Sequence, residues 1–183
     1  MSNVYVFFAD GFEEIEGLTV VDVLRRAGLS VHMVSISGKT EVAGAHGIRI
    51  LTDGNIDQVQ EAAGDLLVLP GGMPGTLNLG ACAALKEKLQ AAGEKGVRVG
   101  AICAAPSILG DLGLLQGKKA VCYPGFEERM TGAAVGQEPV VTQEYITTSR
   151  GMGTAIDFAL ELVRLLAGEE KSQSVAQSIL YKG

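Results

Sequence analysis

The sequence predicts an α/β protein: a flavodoxin-like (Rossmann-like) parallel sheet sandwiched between helices, with a small β-hairpin. Three observations predict it. Short strand-like runs alternate along the chain with amphipathic helical patterns. Several runs, such as "LLVL" at 66–69, are apolar at every position, as strands covered on both faces are. The 183 residues are 47% apolar, enough to build one core, so a single domain over residues 1–183 is expected.

Each element has its own signal. "NVYVFFA" is a strand that stops at the turn "DGFEE". Leu18, Val21 and Leu24 recur at helical spacing in 16–27, and Gly28 ends that helix. "SVHMVSI" is the next strand, and the Gly-punctuated stretch 38–53 reads as a hairpin. "DLLVLPGG" is a strand that halts at a Pro-Gly-Gly turn. "ACAALKEKLQAAGEKG" is an amphipathic helix, "VRVGAI" a strand, "APSILGDLGLL" a helix and "KAVCYP" a strand. "EPVVTQEYITTS" reads as two short strands about Gln143 and Glu144. Residues 151–168 form the longest helix and 169–180 the last. There is no internal repeat and no low-complexity tract.

Charge and cysteine usage exclude several function classes. The net charge of −6 is spread along the chain, with no Lys/Arg cluster for nucleic acid. No basic amphipathic stretch fits a membrane surface. The apolar N-terminal run lacks the positive region of a secretory signal, and Pro and Gly break the long uncharged stretch 66–85, so no membrane association is expected. Cys82, Cys103 and Cys122 are odd in number and widely spaced. That argues against a disulfide framework or a structural zinc and for a reducing, cytoplasmic compartment.

In doubly wound sheets the site lies at the carboxyl ends of the strands. "ADGFEEIE", "LPGG" and "AICAAP" all fall there. The last has the spacing of a nucleophile elbow, small residues two before and two after the nucleophile, here Ala101 and Ala105 about Cys103. A helix starting near Ala104 would favour a thiolate, and Pro106 fits its first turn. The same Cys103 also fits a small packed hydrophobe, as free cysteines commonly are. Gly71 and Gly72 could present backbone N–H groups to an oxyanion, or form a plain turn. Of the two histidines, His32 alternates within a strand, and His46 lies in the hairpin, reaching the site only through folding or a partner subunit. A carboxyl from Glu13, Glu14 or Glu16 buried beside a thiolate would keep its proton and donate to sulfur.

"FFADGFEEIEGLTVVDVLRRAG", "VLPGG", "GAICAAP" and "TSRGMGTAIDFAL" together resemble the DJ-1/PfpI superfamily, in its DJ-1 (ThiJ-like) branch. The likeness runs nearly the whole chain, in order and with matching spacing. It implies a homodimer with Cys103 as nucleophile, Glu16 as its protonated partner acid, and the Gly72 and Ala104 N–H groups near the sulfur. It places Arg26, His46 and Ser149 on the site wall or the dimer side. Tyr123 stands where the branch often has a histidine, and is expected to orient substrate. Ala104 follows the cysteine where peptidase members carry histidine, which argues against proteolysis.

The function implied is a cofactor-free, metal-free glyoxalase or deglycase acting on small dicarbonyls such as methylglyoxal. The rival is a redox sensor or stress chaperone with little turnover. Elbow, helix end and neutral Glu16 together give the expectation of a Cys103 pKa lowered by about one to three units.

Overall fold

The structure, a computed structural model, describes residues 2–182. The first half runs β1 (Asn3–Phe8), α1 (Glu14–Arg26), β2 (Ser30–Ser35), β3 (Glu41–Ala43), β4 (Arg49–Leu51), β5 (Gly54–Asn55), β6 (Leu66–Leu69), α2 (Gly75–Ala81) and α3 (Ala83–Ala92). Then come β7 (Arg98–Ile102), α4 (Pro106–Asp111), β8 (Lys119–Ala120), β9 (Ala134–Val135), β10 (Val140–Gln143), β11 (Ile146–Ser149), α5 (Ala155–Ala167) and α6 (Glu169–Ser178).

Seven strands form the main sheet in the order β10-β11-β7-β6-β1-β2-β5. All neighbours pair in parallel except β10 with β11, which form a hairpin turning at Glu144. This is the flavodoxin-like α/β fold. Successive side chains of a strand point to opposite faces, and both faces are covered. Val4, Val6 and Phe8 of β1 pack on one face with Val20 and Leu24 of α1 and Phe158 and Leu162 of α5. Phe7 points the other way, into a cluster with Leu67, Leu69, Leu85 and Leu89. This explains why β1 and β6 read as unbroken apolar runs.

β3 and β4 make the expected hairpin apart from the main sheet. The chain departs from the sequence pattern in several places. α1 starts at Glu14, two residues early, so Glu14 and Glu16 occupy its first turn, where acids suit the positive helix end. α2 forms within the Pro-Gly-rich stretch, and extended backbone at Cys82 separates it from α3. α4 stops at Asp111, before Gly113 with its φ of 73°. The "KAVCYP" strand shrinks to Lys119–Ala120, paired with β9 outside the main sheet. Beyond it Val121 N donates to the Thr148 hydroxyl instead of joining a ladder. β5, a two-residue parallel edge, has too little side-chain pattern to be visible in sequence. α5 has 13 residues, no longer than α1, because Met152–Thr154 forms a 3₁₀ turn.

Candidate active site

The parallel strands deliver their carboxyl ends to one edge. There β1 leads to Glu16, β6 to Gly71 and Gly72, β7 to Cys103, and β11 to Arg150 and Gly151. Glu16, His46, Cys103, Tyr123, Arg150 and Met152 are among the residues lining a cavity of about 650 Å³.

Cys103 has φ 65°, a left-handed conformation that costs a non-glycine residue roughly 1–2 kcal/mol. Two backbone bonds hold it there. Its N–H donates to Ser149 O at 2.9 Å, and its carbonyl accepts from Tyr123 N at 2.8 Å. Ala101 and Ala105, the small residues of the elbow, are fully buried. The thiol thus leaves the sheet edge at a fixed angle. The backbone N–H groups of Ala104 and Gly72 lie at the sulfur, where they favour negative charge.

Glu16 is 1% exposed. Its Oε2 accepts from Gly71 N at 2.9 Å, and its Oε1 has no partner. Only glycine fits at 71. A Cβ there would stand 2.6 Å from Cys103 Cβ and 2.7 Å from Glu16 Oε2. Burial pushes the Glu16 carboxyl up to about 7, against the opposing hydrogen bonds with Cys103 and Gly71.

The thiol departs from the expectation of a lowered pKa. Burial, then the charge of Glu16 and its hydrogen bond, push Cys103 up to about 12. α4 begins only at Pro106 and is six residues long, so little helix dipole reaches the sulfur. The two groups titrate together: one proton leaves near 7 and the second near 12. Between those limits the pair holds a single proton. Placing it on Glu16 removes the carboxylate charge and turns that group into a donor toward sulfur. The N–H groups of Ala104 and Gly72 favour this arrangement, and that of Gly71 favours the reverse.

His46 is exposed but anchored. Buried Glu14 accepts from its backbone N at 2.7 Å and pairs with its Nδ1 at 2.8 Å. Folding alone thus brings this hairpin histidine to the cavity. Tyr123 is half exposed and stands against Gly151.

Two residues expected on the site wall or the dimer side do not line the cavity. Arg26 is ten residues beyond Glu16, about 15 Å along the helix. It pairs with Asp22 at 2.6 Å in a separate groove beside Leu18 and Ile179. Ser149 is fully buried, and its hydroxyl is engaged by Pro139 O and Thr154 Oγ1. What it offers the site is its carbonyl, which fixes Cys103.

The neighbouring Arg150 was missed; its position just past a strand end was the available signal. Glu14 was missed as an anchor, because no local pattern couples it to a hairpin 32 residues away. Cys82 lines a different cavity, with Asp10 and Ser35. Cys122 is buried, and burial with the charge of Glu127 pushes its thiol to about 11, against Arg150. Among the described residues, one grouping of metal-type donors occurs, Glu13, Glu14 and His46. It is closed on itself, since His46 engages both oxygens of Glu14. No helix among these residues is long and apolar enough to cross a membrane.

A parallel α/β sheet that throws a strained cysteine from a strand end against a buried carboxyl defines an α/β protein of the nucleophile-elbow class. Comparison with known proteins narrows this class to one family. The model of the DJ-1/PfpI family matches residues 2–165, and the chain belongs to that family. Protein dj-1beta of Drosophila melanogaster is 37% identical over 177 residues, 96% of this chain and 95% of that protein. The crystal structure of Drosophila melanogaster DJ-1beta superposes with a TM-score of 0.94 at 34% identity, covering 100% of both chains. Glutathione-independent glyoxalase DJR-1.2 of Caenorhabditis elegans is 35% identical over 169 residues, 91% of this chain and 89% of that protein. The chain spans 42% and 47% of the Arabidopsis thaliana DJ-1 homologs B and A, which it matches at 36% and 37% identity.

Proposed function

We propose that the protein is a cofactor-independent glyoxalase that converts methylglyoxal and related small dicarbonyls to hydroxy acids, with Cys103 as nucleophile and Glu16 as proton shuttle. One observation carries the reading: the strained Cys103 and the buried Glu16 meet beside the Cα of Gly71, and burial pushes the Glu16 carboxyl up to about 7. The name of the Caenorhabditis elegans relative supports it.

The chemistry follows from that pair. Sulfur adds to the aldehyde carbon, and the shared proton passes to the new alkoxide, giving a hemithioacetal. The N–H groups of Gly72 and Ala104 hold the oxygen while it is charged. Glu16, now ionised, removes the proton from that carbon; the C–H electrons form a carbon–carbon double bond, and the pair of the neighbouring carbonyl moves onto its oxygen. Glu16 returns the proton to the adjacent carbon, and the proton of the first hydroxyl passes to the second oxygen, leaving a thioester on Cys103. Water cleaves the C–S bond, releasing the hydroxy acid and the thiol. A deglycase would begin from the same hemithioacetal, formed from the free aldehyde in equilibrium with an adduct.

The rival, a redox sensor or stress chaperone, is favoured by the partial exposure of Cys103. A solved relative, Toxoplasma gondii DJ-1, carries the word "oxidized" in its description; it superposes with a TM-score of 0.93 at 35% identity and covers 100% of both chains. A homodimer is part of the same reading. Exposed Ile15, Ile48, Leu51 and Met152 are apolar residues that a second copy could cover. Multiple turnover of methylglyoxal by pure protein in thiol-free buffer, followed as lactate, tests the reading; a stoichiometric burst without turnover favours the sensor.

A further inference from the structure

We propose that His46, oriented by Glu14, is a second proton-handling residue of the Cys103 cavity, donating from Nε2 to the substrate oxygen remote from the sulfur. The inference rests on the glyoxalase reading and adds a residue to it.

The geometry begins with Glu14. It is 3% exposed, and its two oxygens receive the backbone N–H and Nδ1 of His46. The backbone of Ile48 also favours its ionised form. The hairpin closes over this carboxylate so tightly that a Cβ at Gly44 would collide with it. Gly11 N donates to Ala43 O and Ala45 N to Phe12 O, each at 2.8 Å, so the hairpin tip is fastened to the start of α1. A buried carboxylate on Nδ1 is the usual means of fixing an imidazole's orientation and tautomer. With Nδ1 committed, Nε2 is the nitrogen without a protein partner among the described residues, and His46 lines the cavity that holds Cys103.

Charge supports the role. The hydrogen bond to Glu14, then the charges of Glu13 and Glu14, raise the His46 pKa. From α1, Glu13 lies 3.8 Å from Nδ1. Across the cavity stand Glu16, Cys103, Tyr123 and Arg150. On the hairpin, Arg49 is paired with Glu41. Both carboxylates nearest the ring therefore favour its proton.

The step balances. As Glu16 takes the carbon-bound proton, the electrons move toward the second carbonyl oxygen, and Nε2–H of imidazolium protonates it. Glu16 then reprotonates the second carbon. The first hydroxyl loses its proton to neutral Nε2 as the thioester carbonyl forms, restoring the imidazolium.

The test is the pH profile of kcat/KM for wild type, His46→Ala, His46→Gln and Glu14→Gln. His46→Ala is expected to lose on the order of 10²-fold, together with the descending alkaline limb. His46→Gln, which can hydrogen-bond but not transfer a proton, should lose the same limb. Glu14→Gln should move that limb to lower pH. The His46 variants keep the result readable should Glu14→Gln fold poorly. An unchanged rate and profile in His46→Ala overturns the proposal. If wild type shows no turnover, the glyoxalase reading has failed, and alkylation of Cys103 decides the His46 role instead. Iodoacetate should then outpace iodoacetamide by a ratio that falls as His46 deprotonates, and that pH dependence should vanish in His46→Ala. A ratio independent of His46 overturns the role.

Discussion

The Gly71 amide donates to Oε2 of Glu16 at 2.9 Å, and this bond ties the turn after β6 to the first turn of α1. The hydrogen side of Gly71 is filled by Cys103 Cβ, with Cys103 Sγ 3.1 Å from where a Cβ would stand. Two strand ends and the first turn of α1 therefore meet at one glycine.

Gly71→Ala should separate the pair. The new methyl meets Cys103 and Glu16 too closely for either to remain in place. The expected result is a loss of about 10²-fold or more in kcat, with a stability cost of about 1–3 kcal/mol. Full activity in a folded Gly71→Ala protein, judged by thermal unfolding, would show that Glu16 and Cys103 need no contact.

Glu16→Gln should lose about 10²–10⁴-fold in turnover, because the shuttle needs a group that ionises. Tyr123→Phe should lose far less, since Tyr123 shapes the wall without moving a proton. Alkylation of Cys103 in wild type should rise through an inflection near 7, where the pair gives up its first proton, and Glu16→Gln should lack it. A larger loss in Tyr123→Phe would move the proton shuttle to the phenol.

Peroxide should oxidise Cys103 beyond the sulfenate rather than to a disulfide. Cys122 is buried and Cys82 lines a separate cavity. Peptide mass spectrometry should find two added oxygens on the peptide carrying Cys103, with Glu16→Leu shifting the distribution. A Cys103–Cys122 disulfide as the main product would instead make this a two-cysteine switch.

Glu61 offers a stability test away from the site. Burial opposes its charge, but hydrogen bonds from Lys88 and Lys95 pull the carboxyl down to about 2. A lowered folded-state pKa stabilises above the ordinary carboxylate value and is lost as pH falls through the folded one. Glu61→Gln should therefore cost about 1–2 kcal/mol at neutral pH. The difference from wild type should shrink between pH 4.5 and about 2, as read by denaturant unfolding. A constant difference across that range would remove the ion pairs as its cause.

What the sequence disclosed depended on how local each signal was. β1, β6 and β7 were legible because strands buried on both faces are apolar at nearly every position. The elbow was legible because crowding at Cys103 demands alanines at fixed offsets. β5 was not, being two residues whose pairing is all backbone. Nor was the place of His46, set by a carboxylate 32 residues away. The direction of the Cys103 shift was misjudged because burial, which sequence does not show, outweighs a six-residue helix. Arg26 does not reach the cavity because helix rise carries it away from the strand ends.

Light scattering should find a homodimer at micromolar concentration, and Leu51→Glu or Ile48→Glu should shift it toward monomer. A wild-type monomer would leave the exposed apolar residues to another partner.

The most direct test of Cys103 as the nucleophile is the set of single cysteine variants, assayed for lactate formed from methylglyoxal over many turnovers in thiol-free buffer. Cys82→Ser and Cys122→Ser should keep wild-type rates, and Cys103→Ser should form no lactate above the uncatalysed rate. Sustained turnover by Cys103→Ser, or equal loss in Cys122→Ser, would contradict it.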